Sequence, residues 1–428
     1  VRNSAELAAE PDDTLPRTDL PLGPPTMAAA APARPVPAPA TAVAAPAAPT
    51  APVNPDFAAR RTSAGWRDLD PREFDRLRRL VGAAGGRGDS ALAAMSDEQI
   101  ARSLGLVVTE GGRTHVLAGA VLLFGRPDAL RRHVPNHEAA LQIIGPETGE
   151  PGAKVNDFFR WPLLRLTEEL LARFRARNPE REVRYELVRA GVPRYAEQAF
   201  RELLANAFVH RDYSAAGAVH VQWTRTGIEI SSPGGCPAPG SGDALGLAAR
   251  PPRPRSPLLA DAFRRAGITD RTGRGIRRAC AAQLRGGLRP PDHGRSTSDC
   301  VIAVLPSIPP DLAFALFALG RACAGAPLDL PELLVLTAAT RDGVLRTSDV
   351  AALLDTDKDH ARRHLTDMVG RGLMEIGGLG GTRVWSPSSE VRRALREAGT
   401  QLSARPGRPG LRPAPAGHPR AAGRASEA

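Results

Sequence analysis

Cysteine is scarce in this 428-residue chain, and the four that occur, Cys236, Cys280, Cys300 and Cys323, form no Cys-x-x-Cys pair. Their scatter argues against a zinc site or a disulfide framework and fits a reducing compartment. No apolar run approaches the ~18–20 residues that a membrane helix needs. The first residues, Val1-Arg2-Asn3-Ser4 with Asp12 and Asp13 close behind, lack a basic segment followed by an apolar one, so no secretion signal is expected. Lysine is almost missing, and nearly all the positive charge is arginine. A cytoplasmic protein without a membrane segment is the expectation. The chain begins without Met, which is compatible with an alternative start codon or a further upstream portion.

What is abundant is equally telling. The 41 prolines and 42 glycines make up roughly a fifth of the residues, well above ordinary usage, so disordered segments are expected. Lys and Arg exceed Asp and Glu by 57 − 46 = 11. That balance favours polyanionic partners, nucleic acid among them. Residues 1–60 read as a disordered Ala/Pro-rich linker that cannot bury a core, and residues 399–428 as a disordered basic tail.

Between the tails, periodicity predicts helices over 71–82 and 90–104, a compact apolar run over 116–124 and a strand over 139–144. A long amphipathic helix is expected over 158–177 and another through Glu202. Residues 218–224 and 228–232 flank Arg225-Thr226-Gly227 as a hairpin, helices follow over 256–266 and 276–284, and a strand over 299–305. This mixed order suggests an α+β layered sandwich. Residues 61–190 would precede a ligand-binding unit over 191–308. Residues 309–398 would form a last unit, with helices over 348–354 and 358–370 and strands over 373–376 and 383–385. Helix, turn, helix and hairpin is the order of a winged helix.

The chemistry concentrates in Arg201–Tyr213. Glu202, Asn206 and His210 stand at i, i+4 and i+8, on nearly one helix face, while Leu203, Leu204, Ala207 and Phe208 supply a buried flank. Three polar groups in line on a core helix imply a polar partner, and a nucleotide phosphate with its Mg²⁺ suits them. Two glycine-bearing segments could converge on the same ligand. In one, a strand runs into Ser232-Pro233-Gly234-Gly235; in the other, Gly273 and Gly275 open a helix. Glycine lets backbone approach a phosphate, and a helix N-terminus offers free N–H groups. Magnesium prefers oxygen ligands and keeps several waters, so one carboxamide plus phosphates can hold it. Each feature also has a plain structural reading, as buried amide, surface ion pair or turn glycine; their joint order points to ATP.

These residues resemble bacterial ATP-binding proteins of the RecG-related transcriptional regulator family. The resemblance rests on Arg201–Tyr213 (RELLANAFVHRDY), Ile228–Gly235 (IEISSPGG), Ser256–Ala260 (SPLLA) and Gly273–Arg278 (GRGIRR). Leu117–Gly125 (LAGAVLLFG) is similar to the family's LTNAGLLLFG stretch. The likeness spans about residues 70–305. It implies a GHKL-like (Bergerat-type) ATP-binding α/β sandwich followed by a winged-helix domain. It implies Glu202 as the water-activating carboxylate, Asn206 as the Mg²⁺ ligand, and His210 and Asp212 as near neighbours. Gly234 and Gly235 would turn beneath the nucleotide, with Gly273 and Gly275 at the lid and phosphate loop. Two departures stand out. The family's Asp-x-Gly-x-Gly box, whose Asp reads adenine, is here Ser232-Pro233-Gly234-Gly235, and low-complexity sequence replaces the Schlafen-AlbA-like domain upstream of residue 60.

In the last unit, Lys358, Arg362, Arg363 and Thr366 would face outward from a recognition helix and Arg383 would mark the wing. Such residues can neutralise DNA phosphates or read guanine edges; a solvated face paired with Asp359 and Asp367 is the rival reading. The favoured function is an ATP-binding regulator that binds DNA, with an ATP-hydrolysing enzyme of DNA transactions or a non-hydrolysing scaffold as alternatives. The absence of a Gly-x-x-x-x-Gly-Lys-[Ser/Thr] pattern argues against a helicase motor. A homo-oligomer is compatible with the sequence, which does not set the oligomeric state.

Overall fold

The computed structural model of the protein describes residues 56–144, 153–185, 188–235, 254–269, 274–378 and 383–403. Helix α1 (Pro71–Ala83) starts where Asp70 accepts a bond from the Arg72 N–H and Pro71 occupies the first turn, and it buries Phe74, Leu77 and Val81. The single helix expected over 90–104 is divided. A 3₁₀ turn covers Ser90–Ala94, and α2 (Asp97–Ser103) begins afresh because Ser96 and Gln99 form a capping box. A hairpin follows, β1 (Val107–Glu110) and β2 (Arg113–Val116), whose polar strands gave no sequence signal. The apolar run becomes α3 (Ala118–Phe124), every residue of it buried, and α4 (Pro127–His133) comes next.

Strands β3 (Ala139–Ile144) and β4 (Ala153–Phe159) pair antiparallel. Because Phe158 and Phe159 are held opposite Ala140 and Ala139, the expected long helix starts later, after Pro162, as α5 (Leu163–Arg177). The hairpin β5 (Glu180–Tyr185) and β6 (Val188–Pro193) leads to α6 (Glu197–His210). Then come β7 (Val219–Trp223), β8 (Gly227–Pro233), α7 (Pro257–Arg265), α8 (Gly275–Arg285) and β9 (Cys300–Pro306). Five strands form one sheet in the order β4-β3-β7-β8-β9, antiparallel except for the β3–β7 pair. Its inward residues, among them Leu141, Val219, Val221, Ile228, Ile230, Ala303 and Leu305, share one apolar core with α3, α5, α6 and α7. This is a mixed α+β architecture.

A second core lies beyond. Helices α9 (Leu312–Cys323), α10 (Leu330–Asp342), α11 (Thr347–Leu353) and α12 (Lys358–Gly370) precede a three-stranded sheet ordered β10 (Leu345–Arg346), β12 (Val384–Pro387) and β11 (Met374–Gly377). Trp385 is fully buried at its centre and donates its indole N–H to Thr347 Oγ1 at 3.0 Å. The last helix, α13 (Ser389–Ser403), runs past residue 398, where the folded part was expected to end. It returns to α9, where Ala398 joins Leu312, Ala315 and Leu316. At the other end, residues 56–60, expected to belong to the disordered linker, form a 3₁₀ turn (Phe57–Ala59) packed on the fold. Phe57 stacks on Tyr213, with ring centroids 5.9 Å apart, and Asp56 accepts a bond from the Leu258 N–H. No helix among the described residues is long and apolar enough to cross a membrane.

Helix α8 belongs to both cores. Ala279 packs with the sheet, whereas Cys280, Ala281 and Leu284 pack with α10 and Trp385.

Candidate functional site

Helix α6 is apolar on most of its circumference, since it lies between the sheet, α5 and α8, and nine of its residues are buried. Its N-cap is Ala196, which has no side chain to satisfy the free N–H groups of the first turn. Gln283 of α8 supplies the acceptor from outside. Its Oε1 takes the Ala196 N–H at 2.8 Å while its Nε2 donates to Arg289 O at 3.1 Å. The two helices are thereby fixed in register.

The polar line of α6 faces α8. Glu202 is only 1% exposed, and Arg278 Nη1 stands 4.0 Å from its Oε1. Gly275, the first residue of α8, meets both polar side chains: a Cβ on it would lie 2.8 Å from Glu202 Oε2 and 3.7 Å from Asn206 Nδ2. The lack of a side chain at Gly275 leaves room for the Glu202 carboxylate against the start of α8. The structure thus brings Glu202, Asn206 and Gly275 together from separate sequence motifs. The first turn of α8 presents free N–H groups and the positive end of its dipole toward the Glu202 carboxylate, an arrangement that favours negative charge.

A second cluster forms where α6 ends, roughly 6 Å farther along the helix axis from Asn206 to His210 at 1.5 Å per residue. The Asp212 N–H bonds to Pro233 O at 2.8 Å, which sets Asp212 against the turn after β8. Gly234 there has φ +126°, and a Cβ on it would crowd Asp212 N at 3.2 Å. Arg255 joins the group through an ion pair to Asp212 at 3.5 Å and a bond from its Nε to His210 O at 3.1 Å. Burial alone would raise the Asp212 carboxyl, but hydrogen bonds from Ser214 and the Arg255 charge hold it below the ordinary range. Burial, then the Arg255 charge, lowers His210. Gly235 lies against Ser298 O, and Gly234 N donates to Asp299 O at 2.8 Å. Ser232, standing where the resembled family has its aspartate box, turns its hydroxyl inward to Ala207 O at 2.8 Å.

Gly273 lies outside the described residues. The surface residues Lys358, Arg362, Arg363 and Thr366 are exposed on α12, and Arg383 is exposed just before β12; all lie on or beside elements that pack around the second core, and none joins this site. Among the described residues no ion pair links Arg362 or Arg363 to Asp359 or Asp367; Arg363 instead contacts His360 Nδ1 at 3.1 Å.

Sequence reasoning missed four side chains that organise the region. Arg278 closes the Gly273–Arg278 motif, in which the glycines carry the sequence signal. Arg255 directly precedes the Ser256–Ala260 motif. Gln283 gave no signal. Arg211, within the Arg201–Tyr213 motif, is fully buried and donates to the carbonyls of Asn136, Asp212, Ala215 and Gly217, tying the end of α6 to the approaches of β3 and β7. Tyr213, also buried, donates to Phe208 O at 2.9 Å. This half of the motif is scaffold that holds Asp212 in place.

Residues 217–304, from the start of β7 through β9, match the family described as "Putative ATP-dependent DNA helicase recG C-terminal". Among solved structures, the DIP2311 protein from Corynebacterium diphtheriae is similar, with a TM-score of 0.63 and 25% identity over 80% of this chain. The chain spans 66% of that protein's length. No curated sequence matches it. The segment that carries the glycine turn and α8 is therefore similar to a RecG-related, ATPase-like domain.

Proposed function

We propose that this protein is a nucleotide-binding regulator, in which ATP with Mg²⁺ lies along α6 between the first turn of α8 and the turn after β8. The observation that carries the reading is the apposition of Gly275 to both Glu202 and Asn206. The two clusters lie along one helix at a spacing suited to a nucleoside triphosphate, with the polyphosphate at Asn206 and α8 and the nucleoside toward Asp212 and Gly234. The similarity of residues 217–304 to an ATPase-like family supports it.

The residues fit magnesium only as a shared ion. Among the described residues there is no group of three or more His, Cys, Asp or Glu side chains able to hold a metal. Asn206, half-buried beside Glu202, offers one carboxamide oxygen, so Asn206 and the phosphates together would hold the ion. When bound, Mg²⁺ would neutralise phosphate charge. Asn206 orients that end of the ligand, and Gly275 keeps its backbone close. Glu202 is sealed from solvent beside Arg278, which supports binding over turnover in this arrangement. Hydrolysis, with Glu202 activating a water, is the second reading.

The order of α11, α12, β11 and β12 supports a winged helix, and the exposed Lys358, Arg362, Arg363, Thr366 and Arg383 support DNA as its partner. Titration with a fluorescent ATP analogue, with and without Mg²⁺, tests the nucleotide reading. Wild type should bind more tightly with Mg²⁺, and Asn206→Ala should lose that enhancement. Equal affinity in the variant would remove the metal role. An ATPase assay on Glu202→Gln separates binding from turnover.

A further inference from the structure

The five-stranded sheet ends differently on its two sides. Beyond β9 the edge is closed residue by residue. The N–H and C=O of Val304 exchange bonds with the Asp292 backbone at 2.8 and 2.9 Å, those of Ile302 meet Ser296 Oγ at 3.0 and 3.1 Å, and those of Cys300 meet Thr297 at 3.0 and 2.8 Å. Nothing comparable stands beyond β4. Among the described residues β4 pairs with β3 alone, and no hydrogen bond outside that ladder reaches its backbone. Natural sheets ordinarily blunt such an edge, because its unpaired N–H and C=O groups template another strand. Here the edge instead displays Phe158, 52% exposed and opposite the small Ala140. A row of amides also crosses the sheet face turned away from the apolar core and stops at this edge. Gln222 Nε2 donates to Gln142 Oε1 at 2.6 Å, and Gln142 Nε2 donates to Asn156 Oδ1 at 2.9 Å. Asn156 is exposed, and among the described residues its Nδ2 has no acceptor.

We propose that β4 is a dimerisation edge, at which two copies of this chain pair β4 with β4 antiparallel about Asn156 and join their sheets into one. Two identical antiparallel strands are related by a two-fold axis, so the residue on the axis meets its own copy. A primary amide suits that position because it carries donor and acceptor side by side and is complementary to itself. Asn156 facing Asn156 of the second copy therefore continues the amide row from one sheet into the other. Directly opposed residues in such a pair lie about 4.5–5.5 Å apart, within reach of each other's side chains. Phe158, two residues along on the same face, loses its exposure against the second strand. Asp157, the acidic residue beside the axis, is already paired with Arg173, so two bare carboxylates do not oppose the approach. An extended peptide of another protein would use the same backbone edge without the symmetric amide pair. The inference goes beyond the nucleotide reading and does not depend on it.

Sedimentation velocity of the full chain across micromolar concentrations tests it. Wild type should sediment as a dimer. Asn156→Lys sets two like charges on the axis and should weaken the dimer about tenfold or more. Phe158→Ser should weaken it as well, whereas Ser231→Lys, on the same sheet face but two strands in from β3, should leave it intact. Asn156 and Phe158 are exposed, and melting curves establish that each variant is folded. Asn156→Cys tests the register: mild oxidation should join two copies by a disulfide that wild type and Ser231→Cys do not form. A monomeric wild type, or a dimer as tight in Asn156→Lys as in wild type, would overturn the proposal. A dimer weakened equally by Ser231→Lys would move the interface to the sheet face and overturn it too. Failure of the Asn156→Cys link in a dimeric protein would overturn the pairing about Asn156.

Discussion

At Gly275 the space a side chain would need is filled by Glu202, whose carboxylate oxygen would lie 2.8 Å from an added Cβ. Gly275→Ala forces the buried carboxylate or the first turn of α8 to shift. Such overpacking typically costs about 1–3 kcal/mol. Urea unfolding should show a loss in that range together with weaker nucleotide binding; unchanged stability would mean that the two helices do not meet as described. A second residue sets the acid limb of stability. His137 is buried beside Tyr213, with Nε2 2.7 Å from Trp161 O, and burial pushes its pKa down to about 4 from the ordinary 6.5. The unfolded chain therefore binds this proton first as pH falls. The contribution is complete above about pH 6.5 and is lost progressively toward pH 4, on the order of 3 kcal/mol in all. His133, His210 and His293 are lowered in the same direction. Denaturant midpoints measured from pH 7 to pH 4.5 should fall steadily, and His137→Gln should flatten the slope. A slope in the variant as steep as in wild type would assign it elsewhere.

At the scale of elements, α6 and α8 form the frame, and Gln283 is their joint. Replacing it by Leu leaves the Ala196 N–H and Arg289 O without the partners they now have. Both bonds are only partly buried, so the loss is nearer the ordinary net worth of a hydrogen bond, about 0.5–1.5 kcal/mol each. Hydrogen exchange should accelerate first at residues 196–200; protection equal to wild type there would show that another acceptor caps α6. The sequence made much of this level legible. Strand 139–144, helix 358–370 and the 218–232 hairpin follow from a short apolar run, amphipathic spacing and a glycine turn, and each lies within a residue or two of its expected bounds. The convergence of Glu202 and Asn206 with Gly275 was also readable, since spacing fixes a helix face and paired glycines mark a close approach. The interruption at Met95-Ser96 was not, because a capping box outweighed an amphipathic run. Gln283 and Arg211 escaped for another reason. Their partners are backbone groups distant in sequence, and periodicity is silent about those. Residues 236–253, after Gly235, and 270–273, which carry Gly273, lie outside the described residues.

At the scale of the whole molecule, a sheet-centred core and a second helical core share α8, whose first turn lies at the candidate site. The net charge of +11 gives the protein a standing attraction for polyanions. If α12 meets DNA as proposed, fluorescence anisotropy with duplex DNA should show affinity falling steeply with salt. The double variant Arg362→Ala/Arg363→Ala should bind more weakly and with a shallower salt slope, by about one unit per lost phosphate contact. Salt-independent binding, or an intact slope in the double variant, would place the DNA contact elsewhere or remove it. The most direct test of the nucleotide site is a crystal structure of the full chain grown with Mg²⁺ and a non-hydrolysable ATP analogue. The account predicts the phosphate chain beside Asn206 and the first turn of α8, with the ion on the Asn206 carboxamide oxygen. A nucleotide bound away from α6, or none at saturating concentration, would contradict it.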